Sequence, residues 1–260
     1  MNTLLVYHRG GGKSLEYPPN CIYTFKWAVN NGAKAIEYDV AMVKNNNSYN
    51  IAVIDPKAIA GKGLDINNLN WQDIQNINLG NKKYGYCKVV TLNKVLNTIN
   101  QIKVKHQIHI KSKNYQIIQI LKNEINSFEN ITITSFDIQF LEKLKKAIPH
   151  IKVGWLVKPT NESGNEGVKD LTKMVSENFG DFSAYSQNEL EMISQNATKC
   201  NIDTIILCGP RIKTKNHIFY LKHKGFEVGA WGIGTNLDLA NKLINFEIDR
   251  FTIDNPEELW

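Results

Sequence analysis

Short apolar runs rich in β-branched residues alternate along the chain with longer segments whose apolar positions recur at helical spacing. The runs predict strands at Leu4–His8, Ala35–Val40, Asn50–Ile54, Gln107–Lys111, Ile131–Phe136, Lys152–Val157, Asp203–Cys208 and Glu227–Ile233. The segments between them predict helices at Cys21–Asn31, Leu92–Gln101, Tyr115–Phe128, Gln139–Ala147, Gly167–Asn178, Asn188–Lys199, Thr214–Lys224 and Leu237–Asn245. Only the link from the second strand to the third is too short for a helix, and a longer stretch, Asp55 to Val90, follows it. Alternating β and α elements describe parallel strands joined by crossovers, and eight strands in 260 residues predict a closed (β/α)8 TIM barrel, one domain over residues 1–260. A doubly wound open sheet is the alternative. The first strand, however, is not followed by a GxGxxG fingerprint, and Gly10-Gly11-Gly12-Lys13-Ser14 lacks the spacing of a phosphate loop.

Composition narrows the class. A hydrophobic content of 42% suffices for one large core, and the net charge of +6 comes from lysines spread along the chain. Scattered lysine without clustered arginine argues against a nucleic-acid footprint and is compatible with a general attraction for anionic substrates. The four cysteines, Cys21, Cys87, Cys200 and Cys208, show no CxxC spacing and no disulfide framework, so reduced thiols and a cytoplasmic location are expected. No apolar run approaches the ~18 residues that span a bilayer, and no secretory leader is visible.

In such a barrel the chemistry sits at the carboxyl ends of the strands. His8 closes the first run, Glu37 and Asp39 alternate at the end of the second, His109 and Lys111 alternate at the end of another, and Trp231 lies near the end of the last. The spacing i, i+2 puts both carboxylates on one face of their strand. An imidazole and two carboxylates at one mouth suggest a metal-assisted acid–base site. His106, His150, His217 and His223 lie in polar helical or loop contexts and are expected at the surface. Asp55 is expected to cap a turn or helix, and Asp254 to order the closing loop. The segment Lys158–Gly167 is expected to form a rim that sets specificity.

The series His8-Arg9-Gly10, Asn20 and Phe25 before Gly32-Ala33, Glu37-x-Asp39, Leu92, Ser135-Phe136-Asp137, Pro149, Gly225 before Trp231, and Thr252-x-Asp254-Asn255-Pro256 runs over essentially the whole chain. It resembles the glycerophosphodiester phosphodiesterase family of the phospholipase-C-like phosphodiesterases. The resemblance implies a barrel that uses a divalent cation, usually magnesium or calcium, to cleave glycerophosphodiesters of lipid metabolism into glycerol 3-phosphate and an alcohol. It further implies His8 as a catalytic group, Glu37 and Asp39 as metal ligands, and Arg9, Lys111 and Trp231 as contacts to phosphate or substrate.

Three positions depart from the family pattern. Pro18-Pro19-Asn20-Cys21 stands where Pro-Glu-Asn-Thr is usual, Ile54 replaces a second catalytic histidine before Asp55, and His109 replaces a metal-binding glutamate. His109 is then a metal ligand, favouring manganese or zinc, or the partner of His8 in an acid–base pair. Isoleucine cannot move a proton, so the chain is either a hydrolase with an altered proton path, giving glycerol 3-phosphate or a cyclic phosphate, or a barrel that binds a phosphate ligand without turning it over.

Overall fold

The computed structural model describes residues 3–11, 16–99, 104–112, 114–128, 130–158 and 182–259. The predicted helix at Gly167–Asn178, and the predicted rim beyond Lys158, lie outside them. The strands are Leu4–Tyr7 (β1), Ala35–Asn45 (β2), Ser48–Val53 (β3), Val90–Thr91 (β4), Lys105–Ile110 (β5), Ile131–Ser135 (β6), Lys152–Leu156 (β7), Thr204–Cys208 (β8), Glu227–Trp231 (β9) and Arg250–Ile253 (β10). All but β3 and β4 form a closed barrel of parallel strands in which β1 is hydrogen-bonded to both β2 and β10. Helix Ile22–Asn30 (α1) follows β1, and Leu92–Ile99, Ile117–Ile125, Ile138–Ala147, Gln187–Lys199, Lys215–His223 and Leu237–Asn245 cover the later strands.

Local sequence accounts for these elements. The Asp137 carboxylate accepts from the Gln139 and Phe140 amides at one helix start. Ser186 and Glu189 form a reciprocal capping box at another. Along α1, Thr24, Phe25, Ala28 and Val29 face inward at helical spacing and are buried. Strand residues such as Ile36, Tyr38, Ile108 and Ile133 fill the layer between barrel and helices. The opposite faces of the same strands line the lumen, which is unusually polar. Thr204 donates to Glu227, and Arg250 is ion-paired with that glutamate at the amino end of the barrel. Gly229 makes room for it, since a Cβ there would lie 3.0 Å from Arg250 Cγ.

The predicted third strand is corrected. Asn50–Ile54 belongs to β3, which runs antiparallel to β2 and outside the barrel, with Val53 opposite Val40. A link as short as Asn46-Asn47 permits a hairpin but no crossover, so a parallel placement was geometrically closed. The eighth barrel strand is β10, and Trp231 therefore ends the seventh. Five residues of β2 past Val40 project above the barrel and carry the hairpin, from which residues 54–89 return as an insertion with its own apolar core. Ile54, Ile59, Ile66, Ile74 and Val89 make up that core, with Ala41, Val43 and Ala52 contributed by the hairpin.

Two further expectations are overturned. Cys21 and Cys87, 66 residues apart, form a disulfide between the start of α1 and the insertion, with Cα atoms 6.2 Å apart. Widely separated cysteines give no sequence signal of pairing; the topology brings them together. Cys200 and Cys208 are free and buried. His106 and His217 are buried rather than at the surface. His106 sits on the outer face of β5, where the Tyr38 hydroxyl lies 3.1 Å from its Nδ1, and burial lowers its pKa to about 4. His150 and His223 are exposed as expected. No helix among the described residues is long and apolar enough to cross a membrane.

Cys87→Ser removes a cross-link over a 66-residue separation. By chain-entropy arguments this costs about 4 kcal/mol. Urea unfolding of oxidised wild type, reduced wild type and Cys87→Ser checks this, and the last two should coincide.

Candidate active site

The mouth is organised by the turn after β1. His8–Gly10 form a tight turn in which Arg9 adopts φ 54° and Gly10 φ 85°. A Cβ on Gly10 would approach Phe25 Cδ1 to 2.5 Å, so only glycine lets this turn seat on α1. The strained Arg9 is held from several sides. Its amide donates to Glu37 Oε2 at 3.0 Å and its carbonyl accepts from the Asn20 amide at 3.1 Å. Its guanidinium lies 2.8 Å from Asp39 Oδ2 and 2.7 Å from Asp55 Oδ2.

Alternation along β2 and β5 supplies the next groups. Asp39 stands directly opposite His109 in the register, so Glu37, Asp39, His109 and Lys111 share the luminal face. Asp39 has no exposed surface. Its Oδ1 is 3.0 Å from Lys111 Nζ, and Asn20 both donates to its Oδ2 and accepts from its backbone amide. Burial would push the Asp39 carboxyl up, but Lys111 and Arg9 hold it well below the usual carboxylate range. His109 Nδ1 lies 3.7 Å from Glu37 Oε1 and 3.5 Å from Asp39 Oδ1. Burial and Lys111 lower its pKa against the pull of the two carboxylates.

His8 closes the site. Its Nδ1 is 2.6 Å from Asp254 Oδ1 at the end of β10, its Nε2 is 4.0 Å from Glu37 Oε2, and its side chain keeps 36% exposure. Burial lowers its pKa, but the hydrogen bond and charge of Asp254, with Glu37 behind, raise it above the ordinary value. The far wall is aromatic: Phe136 packs on His109 at 5.5 Å and edge-on to Trp231 at 5.3 Å, and Trp231 Nε1 donates to the Val157 carbonyl.

The structure thus gathers His8, Arg9, Glu37, Asp39, His109 and Lys111, with Trp231 at the rim behind Phe136. Arg9 is committed to carboxylates. Asp55 caps the Lys57 amide and pairs with Arg9, as expected for a cap. Ile54 has no exposed surface and belongs to the insertion core. Sequence reasoning gave Asp254 only a loop-ordering role and assigned none to Phe136. Their signal was present in Thr252-x-Asp254 and Ser135-Phe136, but pairing His8 with Asp254 requires the closure of β1 on β10, which periodicity does not show.

The model of the glycerophosphoryl diester phosphodiesterase family matches residues 8–258. The chain belongs to this family. A glycerophosphodiester phosphodiesterase of Caldanaerobacter subterraneus subsp. tengcongensis is 31% identical over 170 residues, 60% of this chain and 67% of the relative. An Oleispira antarctica phosphodiesterase, solved with the product sn-glycerol-3-phosphate, superposes with a TM-score of 0.73 at 18% identity, covering 98% of this chain and 94% of that one. The Thermotoga maritima glycerophosphodiester phosphodiesterase gives 0.65 at 20% identity, covering 99% and 96%. These two structures show the fold.

Glu37, Asp39 and His109 form a cluster that could hold a divalent cation. Their donor atoms lie within 4.8 Å of one another. The imidazole nitrogen makes only long approaches to the two carboxylates, and buried Asp39 Oδ1 accepts no hydrogen bond in proper geometry. Four carboxylates, Glu37, Asp39, Asp55 and Asp254, face two permanent cations, Arg9 and Lys111, which leaves an excess of negative charge at the mouth.

The His8–Asp254 pair has a defined pH window. His8 is raised on folding, so its contribution is full below the unfolded imidazole value of about 6.5 and is lost as pH rises through the folded value. Asp254 is lowered by the His8 hydrogen bond despite burial, so its contribution is present above about 4 and lost as pH falls. Asp254→Asn should therefore lower the His8 pKa seen by NMR and destabilise the protein more at pH 6 than at pH 9. Equal destabilisation at both would remove the charge-based account of the pair.

Proposed function

We propose that this chain, acting as one domain, cleaves glycerophosphodiesters or related lipid headgroups, with Glu37, Asp39 and His109 holding a divalent cation and His8 carrying the proton. The observation that supports this reading is His8 itself: an accessible imidazole, oriented by Asp254 and directed at the acidic cluster. A cation in this site would polarise the phosphoryl oxygens. The family's usual ions are magnesium and calcium; the mixed oxygen–nitrogen donor set suits manganese or zinc better. Lys111, 22% exposed beside Asp39, is placed to meet a phosphate oxygen. Arg9 acts instead by positioning Asp39, and Trp231 with Phe136 forms the apolar wall for the glycerol carbons.

Ile54 shapes the proton path. With that position sealed in an apolar core, His8 serves alone, and the glycerol 2-hydroxyl is the nucleophile that a single base can use. Its proton passes to His8 Nε2, the new O–P bond forms as the bond to the alcohol breaks, and the departing alkoxide takes a proton from water. The product is a cyclic glycerol phosphate; its opening to glycerol 3-phosphate needs a second proton carrier and is slow. The burial of Ile54 favours a second reading, a barrel that binds phosphate ligands without turnover. The disulfide favours an oxidising compartment over the cytoplasm expected from cysteine spacing.

Phosphorus NMR on a glycerophosphodiester panel, with magnesium, calcium, manganese or zinc, tests this. Cyclic phosphate should accumulate, fastest with manganese or zinc. His8→Ala should lower the rate about 10²–10⁴-fold, and His109→Ala should weaken manganese binding in calorimetry. Glycerol 3-phosphate formed without a cyclic precursor overturns the proposed route. Binding of glycerol 3-phosphate without turnover under any ion establishes the binding-protein reading.

A further inference from the structure

Beside the mouth, the outer face of α1 and the insertion loop that follows Asn81 form one continuous rim. Tyr17 is sandwiched between Trp27 of α1 and Tyr84 of the insertion, with ring centroids 4.5 and 4.4 Å apart. The Cys21–Cys87 disulfide fastens the same two segments. Tyr23 and Tyr86, one or two residues from the bridged cysteines, are 59% and 50% exposed and belong to neither apolar core.

The charge of this rim is one-sided. Across residues 16–31 and 76–91, Lys26, Lys82, Lys83 and Lys88 face a single acidic residue, Glu16, which pairs with Lys83. These two segments therefore hold half of the chain's net charge of +6. All four lysines are exposed, and Lys83 lies over the Tyr84 ring. Neither segment contains arginine, the residue that nucleic-acid recognition favours. Tyrosine and tryptophan amid lysine are instead the side chains suited to a headgroup layer: the rings are apolar with a polar tip, and ammonium groups neutralise anionic lipid.

We propose that this rim docks the protein on an anionic lipid surface, with Tyr23 and Tyr86 seated among the headgroups and Lys26, Lys82 and Lys88 over their charges. The stacked rings and disulfide hold the rim in shape beforehand, so little ordering is needed on contact. The rim begins in the loop that also carries His8 and Asn20, so docking sets the catalytic mouth beside the membrane. It rests on the phosphodiesterase reading only for what docking would serve, which is access to lipid-derived diesters.

Co-sedimentation of the full chain with phosphatidylcholine vesicles, with and without phosphatidylserine, tests the proposal without any turnover. Binding should require phosphatidylserine and fall with salt. Lys82→Ala with Lys88→Ala should weaken it by about 25-fold, near five-fold per lysine, and Tyr23→Ser should weaken it further. Thermal unfolding of each variant, and its turnover of a water-soluble glycerophosphodiester, should stay at the wild-type level. Equal binding to neutral vesicles, no binding at all, or full binding by the folded variants overturns the proposal. Vesicle binding by a protein that shows no turnover upholds it while removing the phosphodiesterase reading.

Discussion

Asp39 is a fully buried carboxylate, and the mouth is built to keep it charged. A bare buried carboxylate would simply take up a proton. Here Lys111 and Arg9 flank it and Asn20 holds both its side chain and its backbone amide. Each partner then has to be fixed in turn. Arg9 requires the strained turn that Gly10 and Phe25 allow, a second anchor in Asp55, and the amide contact to Glu37. One desolvated charge thus ties β1, β2, β5 and the insertion to a common geometry. Such a network is costly to break at any member, because the remaining charges stay buried without their partners.

That arrangement separates two roles that side-chain chemistry alone would merge. Arg9 and Lys111 are both cations beside Asp39, yet Arg9 is forked between two carboxylates while Lys111 makes one such contact from a partly exposed position. The planar guanidinium suits the first task and the mobile ammonium the second. The two imidazoles are divided likewise. His8 is raised by an aspartate and open to solvent, whereas His109 is lowered by burial and a lysine. Environment, rather than residue type, pushes the two imidazoles in opposite directions.

Much of this was readable from the chain. The alternation at Glu37 and Asp39, and at His109 and Lys111, identified the luminal face because a strand's period of two is insensitive to tertiary context. The same insensitivity explains the error at Asn50–Ile54, since antiparallel and parallel strands share that period and only the length of the preceding link distinguishes them. Arg250–Ile253 escaped notice because it is short and begins with a charged residue, which the lumen satisfies through Glu227. His106 alternates with Ile108 just as His109 does with Lys111, so its burial depends on which face meets the helices. The Cys21–Cys87 bridge and the His8–Asp254 pair join segments distant in sequence, and no local pattern encodes them.

The His8–Asp254 contact spans 246 positions of the chain and bridges the first and last barrel strands. A chain growing on a ribosome can form Glu37 and Asp39 on β2, and even the insertion core, long before β10 exists. His8, however, gains its orienting partner only when the last strand docks against the first. Ring closure and the alignment of the imidazole are therefore one event, and an unfinished or clipped chain carries the acidic cluster without the aligned His8–Asp254 pair.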